Sequence, residues 1–377
     1  LQWAAALYDD AVGGLASVRD RLDRSRRELD RLDRDVDAEA LRGARVIGLT
    51  TTAVAKRREL LAVVEPEVVV VEEAAEVLEA HVLAALGRHT RQLVLIGDHE
   101  QLRPGTAVFR LATRYNLDVS LFERLVKNGV DHVTLASQRR MRPNISRLVR
   151  SIYPKLEDHP STGDLPLVRG VARNVFFLDH AMAEQGDASK SNAGEAALVA
   201  RLAEYLVLGA PRYGADKVTV LATYVAQVGL LKRSLAARGL DDVRVSSVDN
   251  FQGEENDVIL LSLVRNDGRG ANATKRDRGG ATVGFLAVSN RACVSLTRAR
   301  SGLFVFGNAS LLGAKSDLWR SILADLRASG DVGPALPLKP GFRDGDDAVV
   351  KVAKDRDFDG LRGGAPTPPP PPPRGFA

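Results

Sequence analysis

Val68-Val69-Val70-Val71-Glu72-Glu73-Ala74-Ala75 sets four β-branched residues directly against two carboxylates and a pair of small helix formers. A short continuous apolar run of this kind reads as a strand buried in a parallel sheet. In open α/β sheets, ligands bind just outside the carboxyl ends of the strands, which is where Glu72 and Glu73 stand. One such carboxylate can hold a magnesium ion through water, and the other can orient and deprotonate an attacking water. Alone, the pattern leaves a second reading open, because the same residues also open many amphipathic helices.

Outward from this stretch, short apolar runs alternate with helical ones. Residues 45–49, 93–96 and 133–135 read as strands, and residues 75–86 and 119–127 as helices. The alternation recurs downstream. Strands are expected at 175–178, 217–221, 243–246, 258–263 and 303–306, with helices at 193–208, 224–238 and 290–299. This is the texture of βα units feeding parallel sheets. A Pro-, Asp- and Gly-rich break at 153–170 reads as a surface connection. Before residue 44, Leu15, Val18, Leu22, Leu29, Leu32 and Val36 fall on a heptad grid among alternating Arg and Asp. That pattern fits half of an antiparallel helical stalk or a plain surface helix. Beyond residue 330 the pattern fades, and Pro368–Pro373 reads as polyproline II in a disordered tail. The expected division is a helical stalk segment (1–43), a partial first lobe (44–132), a second lobe (133–335) and a Pro-rich tail (336–377).

Composition narrows the classes. The formal charge of +5 permits contact with nucleic acid without establishing it. Only 11 of the 53 basic residues are lysine, so arginine dominates. The single Cys293 excludes a disulfide framework within the chain and reads as a small buried hydrophobe. His81, His89, His132, His159 and His180 lack metal-ligand spacing and read as surface or helix-cap residues, while His99 is placed to line a nucleotide cleft. Glu65, Glu67, Glu72 and Glu73 interrupt the most apolar stretch, which excludes a membrane span. The first residues carry no secretory signal pattern, so an intracellular site, nucleus or cytoplasm, is expected.

A second cluster of polar residues, Gly97-Asp98-His99-Glu100-Gln101-Leu102-Arg103-Pro104, follows the next apolar run. A glutamine there can sense a γ-phosphate through its amide. Further motifs follow in order: Gln138-Arg139-Arg140-Met141-Arg142-Pro143, Thr223-Tyr224-Val225-Ala226-Gln227, Val248-Asp249-Asn250-Phe251-Gln252-Gly253-Glu254-Glu255-Asn256-Asp257, and Ser295-Leu296-Thr297-Arg298-Ala299-Arg300. Together these resemble the core of the Upf-like superfamily 1 helicases over roughly residues 41–335. The nearest resemblance is to the branch that carries NFX-type zinc fingers, which Glu72-Glu73-Ala74-Ala75-Glu76-Val77, Arg142-Pro143, Ser189-Lys190-Ser191-Asn192 ahead of Glu195, and Leu336-Pro337-Leu338 also fit.

The resemblance implies an α/β fold of two RecA-like parallel-sheet lobes, the first incomplete, behind an N-terminal helical stalk segment. It implies an ATP-dependent helicase with ATP and Mg2+ as cofactors, and single-stranded or structured RNA as partner, with DNA as the nearest alternative. Glu72 would hold magnesium, Glu73 would be the general base, and Gln101 would touch the γ-phosphate. Arg140 and Arg298 would be arginine fingers. Asp98, Arg139, Gly253 and Glu255 would contact the nucleotide, Glu255 at its ribose. Thr50, Thr51, Thr223, Tyr224, Gln227, Asp249 and Gln252 would form the nucleic-acid track. By family analogy the pathway is RNA surveillance or small-RNA-directed heterochromatin silencing, with RNA-directed RNA polymerase or a silencing complex as partner.

Three features depart from the family pattern. Arg139 stands where an aromatic ring often stacks on the base, and Glu72 is a methylene longer than the usual Asp. The third is that the sequence holds no Gly-Lys dipeptide, and so no G-x-x-x-x-G-K-[ST] phosphate loop. Together with the lack of Cys or His beyond Leu338 and of an initiator Met, this leads to the expectation of a core cut at both ends. Two other readings stay open: a non-catalytic RNA-binding scaffold and a DNA helicase.

Overall fold

The structure, a computed structural model, describes residues 2–186, 189–209, 211–266, 283–340 and 348–361. The chain divides into two compact units: residues 1–99 with 103–131, and residues 100–102 with 132–377.

The first unit opens with helix α1 (Gln2–Arg42). Near its end Ala38 is buried, Asp37 accepts a 2.8 Å bond from Arg57, and Arg34 pairs with Glu59. The heptad residues Leu15, Val18, Leu22, Leu29, Leu32 and Val36 are all exposed. Residues 45–49, expected as a strand, form no strand and have no ladder partner among the described residues, and Val46 is 88% exposed. An apolar run becomes a strand only where a neighbour completes its backbone hydrogen bonds. Helices α2 (Thr51–Lys56) and α3 (Arg58–Val64) follow, and α3 stops where Glu65 turns left-handed (φ 56°). Strand β1 (Val68–Val71) pairs in parallel with β2 (Gln92–Leu95), with Val71 opposite Leu95. The helix expected over 75–86 is split into a 3-10 turn (Ala74–Glu76) and α4 (Glu79–Ala85), because Val77 is extended. Helices α5 (Phe109–Tyr115) and α6 (Leu121–Lys127) close the unit, α6 being capped by the Ser120 hydroxyl.

The second unit is built on six parallel strands in the order β10-β5-β9-β8-β6-β7. These are β5 (Val175–Asp179), β6 (Val218–Ala222), β7 (Arg244–Ser247), β8 (Asn256–Ser262), β9 (Ala299–Gly307) and β10 (Val332–Gly333). Alternate side chains of the central strands feed two separate cores. Phe177, Leu221, Ile259, Leu261 and Val305 face one, and Phe176, Leu178, Val220, Leu260 and Phe306 face the other. Helices α7 (Pro143–Ser146), α10 (Ser289–Leu296), α11 (Ala309–Lys315) and α12 (Asp317–Ala328) supply residues to the first core. Helices α8 (Ala193–Val207) and α9 (Val225–Ala236) supply the second. Covering on both faces explains why these strands read as continuous apolar runs.

Two expectations are corrected here. Residues 133–135 form no strand, with Val133 and Leu135 about nine-tenths exposed (92% and 88%). The short parallel pair nearby is instead β3 (Ser137–Gln138) with β4 (Glu157–Asp158), inside the stretch read as a plain surface connection. The tail expected from 336 is also partly folded. Strand β11 (Leu336–Leu338) pairs antiparallel with β12 (Val350–Val352), and a 3-10 segment (Asp355–Leu361) follows. Leu336, Leu338, Val352 and Phe358 are buried in the second core, where Phe358 lies 6.5 Å from the Tyr205 ring. Burying these apolar side chains outweighs the polar character of the segment around them. The polyproline run lies outside the described residues. No helix among the described residues is long and apolar enough to cross a membrane.

Candidate functional site

In the first unit, the parallel register brings two polar turns to one sheet edge. Glu72 and Glu73 leave β1 just as Gly97 and Asp98 leave β2. Glu73 sits in the left-handed region (φ 51°, ψ 39°), a conformation that costs a non-glycine residue about 1–2 kcal/mol. What holds it is the next residue, whose amide (Ala74 N) donates 2.8 Å to the Ile96 carbonyl, with Ala74 and Ala75 both buried. Gly97 makes that approach possible, since a Cβ there would lie 2.9 Å from Ala75 N and 3.1 Å from Ala74 N. Glu72 is exposed and Glu73 and Asp98 are half-buried. His99, read as a cleft residue, lies 6.3 Å from the Phe122 ring. Thr50 caps α2, its Oγ1 accepting 3.2 Å from Ala53 N, and Thr51 is the first helical residue. Arg103 is held by Glu123, itself buried at the start of α6.

The second unit gathers Gln101, Arg140, Glu255 and Arg298 around the turn from α10 to β9. Arg140 Nε donates 2.5 Å to Glu255 Oε2, and its Nη1 donates 3.2 Å to the Thr297 carbonyl. Arg298 is 1% exposed. Its Nε donates to Val294 O (3.0 Å), Nη1 to Glu254 O (3.3 Å), and Nη2 to Thr297 Oγ1 (2.9 Å) and Gln101 Oε1 (3.3 Å). The two cations thus share one neighbourhood with the glutamine and one acidic side chain. Arg300 adds a third cation 3.7 Å from Glu255, whereas Arg139 is exposed. Gly253, at φ 77°, makes the left-handed turn between the loop at 248–252 and Glu255, a conformation glycine adopts without strain.

The residues read as a nucleic-acid track separate into two kinds. Thr223 is half-buried, its Oγ1 donating 3.2 Å to Leu263 O. Asp249 is exposed and takes a two-pronged bond from Arg291, with both closest contacts at 3.0 Å. Gln252 is half-buried. Tyr224 and Gln227, by contrast, are buried. Tyr224 Oη accepts 3.3 Å from Arg265 Nη1, and Gln227 spends its amide on Asn192 and Ser262. Both side chains are held behind the surface by these partners. Burial opposes the charge of Arg265, but Tyr224 and Glu184 more than offset it and hold its pKa raised.

Sequence reading missed several of these partners: Arg291 and Asn290 at the start of α10, Glu184 beside Arg265, and the buried group around Glu195. His180, expected at the surface or as a cap, is instead 6% exposed at the side chain and 2.8 Å from Glu195. His159 does cap a 3-10 turn, its Nδ1 accepting from Ser161 N. Cys293 is buried, 3.1 Å from Tyr153 Oη. The Asn192-x-x-Glu195 spacing accounts only for the cap, in which Glu195 N donates 3.0 Å to Asn192 Oδ1, and not for the carboxylate's distant partners.

Taken unit by unit, the donor chemistry suits magnesium in the first unit and polyphosphate in the second. A single exposed carboxylate such as Glu72 supplies hard oxygen and leaves other positions to phosphate and water, as Mg2+ prefers. Arginine side chains gathered at one turn suit polyphosphate charge.

Comparison with known proteins shows the family. Two AAA-domain family models match, one over residues 117–310 and the other over residues 13–107. The chain belongs to this family, among the Upf-like superfamily 1 helicases. It is 44% identical over 306 residues to mouse NFX1-type zinc finger-containing protein 1, covering 80% of this chain and 15% of that protein. It is 43% identical over 309 residues to the fission-yeast (Schizosaccharomyces pombe) helicase required for RNAi-mediated heterochromatin assembly 1, covering 79% of this chain and 30% of that one. It is 31% identical over 330 residues to regulator of nonsense transcripts 1 of Caenorhabditis elegans, covering 82% and 29%. The chain therefore spans between about a seventh and a third of the length of these relatives.

Proposed function

We propose that this chain carries the ATP-hydrolysing and strand-gripping core of an RNA helicase, coupling hydrolysis to movement along single-stranded RNA. The observation that carries the reading is the grouping of Arg140, Arg298, Gln101 and Glu255 at one turn of the second unit. Such a group can stabilise charge developing on a transferred phosphoryl while sensing its presence through a neutral amide. Glu73 accepts the proton of the attacking water, and its left-handed backbone fixes the direction from which it does so. Glu72 is the residue suited to hold Mg2+, which when bound neutralises phosphate charge. Asp98 and Arg139 complete the nucleotide contacts, and Glu255 offers an acceptor to the ribose.

Thr50, Thr51, Thr223 and Gln252 grip the strand, and Asp249 contributes by orienting the Arg291 guanidinium. Hydroxyls and amides reading the phosphate backbone give hold without base preference, which movement along a strand requires. The names of the fission-yeast and nematode relatives support a role in small-RNA-directed heterochromatin silencing or in RNA surveillance. A second reading rests on one observation, the lack of a Gly-Lys dipeptide in these residues: the chain then binds RNA as a scaffold without turnover.

The RNA assignment is tested with fluorescein-labelled oligouridine and oligodeoxythymidine of equal length, titrated with the purified chain at two salt concentrations. The reading expects tighter binding to RNA and a loss of affinity with salt in both cases. Preference for the DNA strand would move the assignment to a DNA helicase.

A further inference from the structure

Behind Thr223 lies a buried carboxylate with no assigned role. The Glu195 side chain is fully enclosed, yet it accepts from three donors on different parts of the unit. These are the Ser262 hydroxyl at the end of β8, the Val264 amide at 3.0 Å, and His180 Nε2 at 2.8 Å. The histidine's tautomer follows from its other nitrogen. Nδ1 accepts 3.2 Å from Met182 N, so Nε2 carries the hydrogen and donates to Glu195. The Glu195 carboxylate is therefore purely an acceptor.

A second tier closes a ring around it. Ser262 Oγ accepts from Gln227 Nε2 (3.0 Å), Gln227 Oε1 accepts from Asn192 N (2.8 Å), and Asn192 Oδ1 accepts from Glu195 N (3.0 Å). What this ring encloses is strained. Val264 sits at φ 70°, a left-handed conformation that a β-branched residue avoids unless its surroundings impose it. Between the two residues that Glu195 grips, Ser262 and Val264, lies Leu263, whose carbonyl receives the Thr223 hydroxyl at 3.2 Å. The Thr223 amide donates 3.3 Å to Ser262 O, and Arg265, one residue past Val264, reaches Tyr224 Oη.

We infer that Glu195 is a positioning residue for strand binding: by holding Ser262 and the turn at Val264, it sets where Leu263 O places the Thr223 hydroxyl against a backbone phosphate. This rests on the nucleic-acid reading of Thr223 given above. When a phosphate arrives, the hydroxyl hydrogen turns from Leu263 O to the phosphate oxygen, while the Thr223 amide keeps its bond to the Glu195-held Ser262 and so holds the residue in place. Only a carboxylate serves all three donors. Glutamine in its place would present an N–H to His180 Nε2–H or to another donor, and the ring would open.

The test is a double-mutant cycle on the purified chain, read as the Kd for fluorescein-labelled oligouridine, with thermal melting confirming that each variant is folded. Glu195→Gln is expected to weaken binding roughly tenfold, the scale of one lost hydrogen bond to a charged group. In a Thr223→Ala background the same change should cost less than about twofold, because both act through one contact. If Glu195→Gln melts below the assay temperature, Ser262→Ala, which removes the hydroxyl joining Glu195 to Gln227, carries the same expectation. Wild-type affinity in Glu195→Gln while Thr223→Ala binds weakly overturns this inference alone, as do effects that multiply independently. Failure of the wild-type chain to bind RNA overturns the nucleic-acid reading and this inference with it.

Discussion

Gly97→Ala tests the claim that the chain leaving β2 buttresses the turn carrying Glu73. The added Cβ would lie 2.9 Å from Ala75 N, about half an ångström inside ordinary contact, and 3.1 Å from Ala74 N. Both obstacles are backbone atoms of buried residues, so no side chain can swing aside. Relief must come from separating the two turns, which stretches the 2.8 Å bond from Ala74 N to Ile96 O. Overpacking of this sort costs about 1–3 kcal/mol, and a weakened backbone hydrogen bond contributes to it, so roughly 2 kcal/mol is expected. Hydrogen exchange read by mass spectrometry converts that into roughly 30-fold faster exchange in the peptides spanning β1 and β2. Gly105→Ala is the control, since a Cβ added there would meet nothing within 4 Å and its backbone is not left-handed. Unchanged exchange in Gly97→Ala would refute the close approach, and with it the account of how Glu73 is held.

Two more predictions concern stability. Phe358→Ala should destabilise the second unit by about 3–4 kcal/mol, the cost of emptying an aromatic site in a core. A fall in the denaturation midpoint checks it, and an unchanged midpoint would return the segment after 350 to the status of a tail. Acid should weaken the first unit through Glu123. Burial works to raise its pKa, but hydrogen bonds from Lys127 and Arg103 outweigh it and leave the folded value below the usual 4.5. The unfolded chain thus binds the proton more readily, so the Glu123 contribution is complete above pH 4.5 and is lost as pH falls through the lower folded value. The melting temperature should fall with pH in that window, with a shallower slope in Glu123→Gln.

Sequence reading recovered what periodicity and enclosure determine. The central strands of the second unit are buried on both faces, so their apolar runs stand out against helices of a different period. Residues 45–49 and 133–135 also carry apolar residues but have no ladder partner among the described residues, a property no local pattern carries. The left-handed Glu73 ahead of the 3-10 turn is held through Ala74 and Ala75 by contacts with Ile96 and Gly97 some twenty residues on, which no local pattern carries. Leu336, Leu338, Val352 and Phe358 are too sparse among polar neighbours to show a period, and only their packing into the second core makes them buried.

The candidate site divides in the same way. Motif order supplied the residue types and brought Arg140, Arg298, Gln101 and Glu255 to notice, because each lies in a compact run of sequence. Burial of Arg298, Tyr224 and Gln227, and the Glu195–Ser262–Val264 ring, come from contacts between distant segments. Glu195 and Val264 stand 69 positions apart, and no local pattern joins them.

The most direct measurement of the central claim is ATP hydrolysis by the purified chain with and without oligouridine, in wild type and Glu73→Gln. Loss of a general base lowers turnover by about a hundredfold or more. The account predicts RNA-stimulated hydrolysis that disappears in Glu73→Gln while RNA binding stays intact. RNA binding with no hydrolysis in the wild-type chain, or hydrolysis untouched by Glu73→Gln, would contradict it.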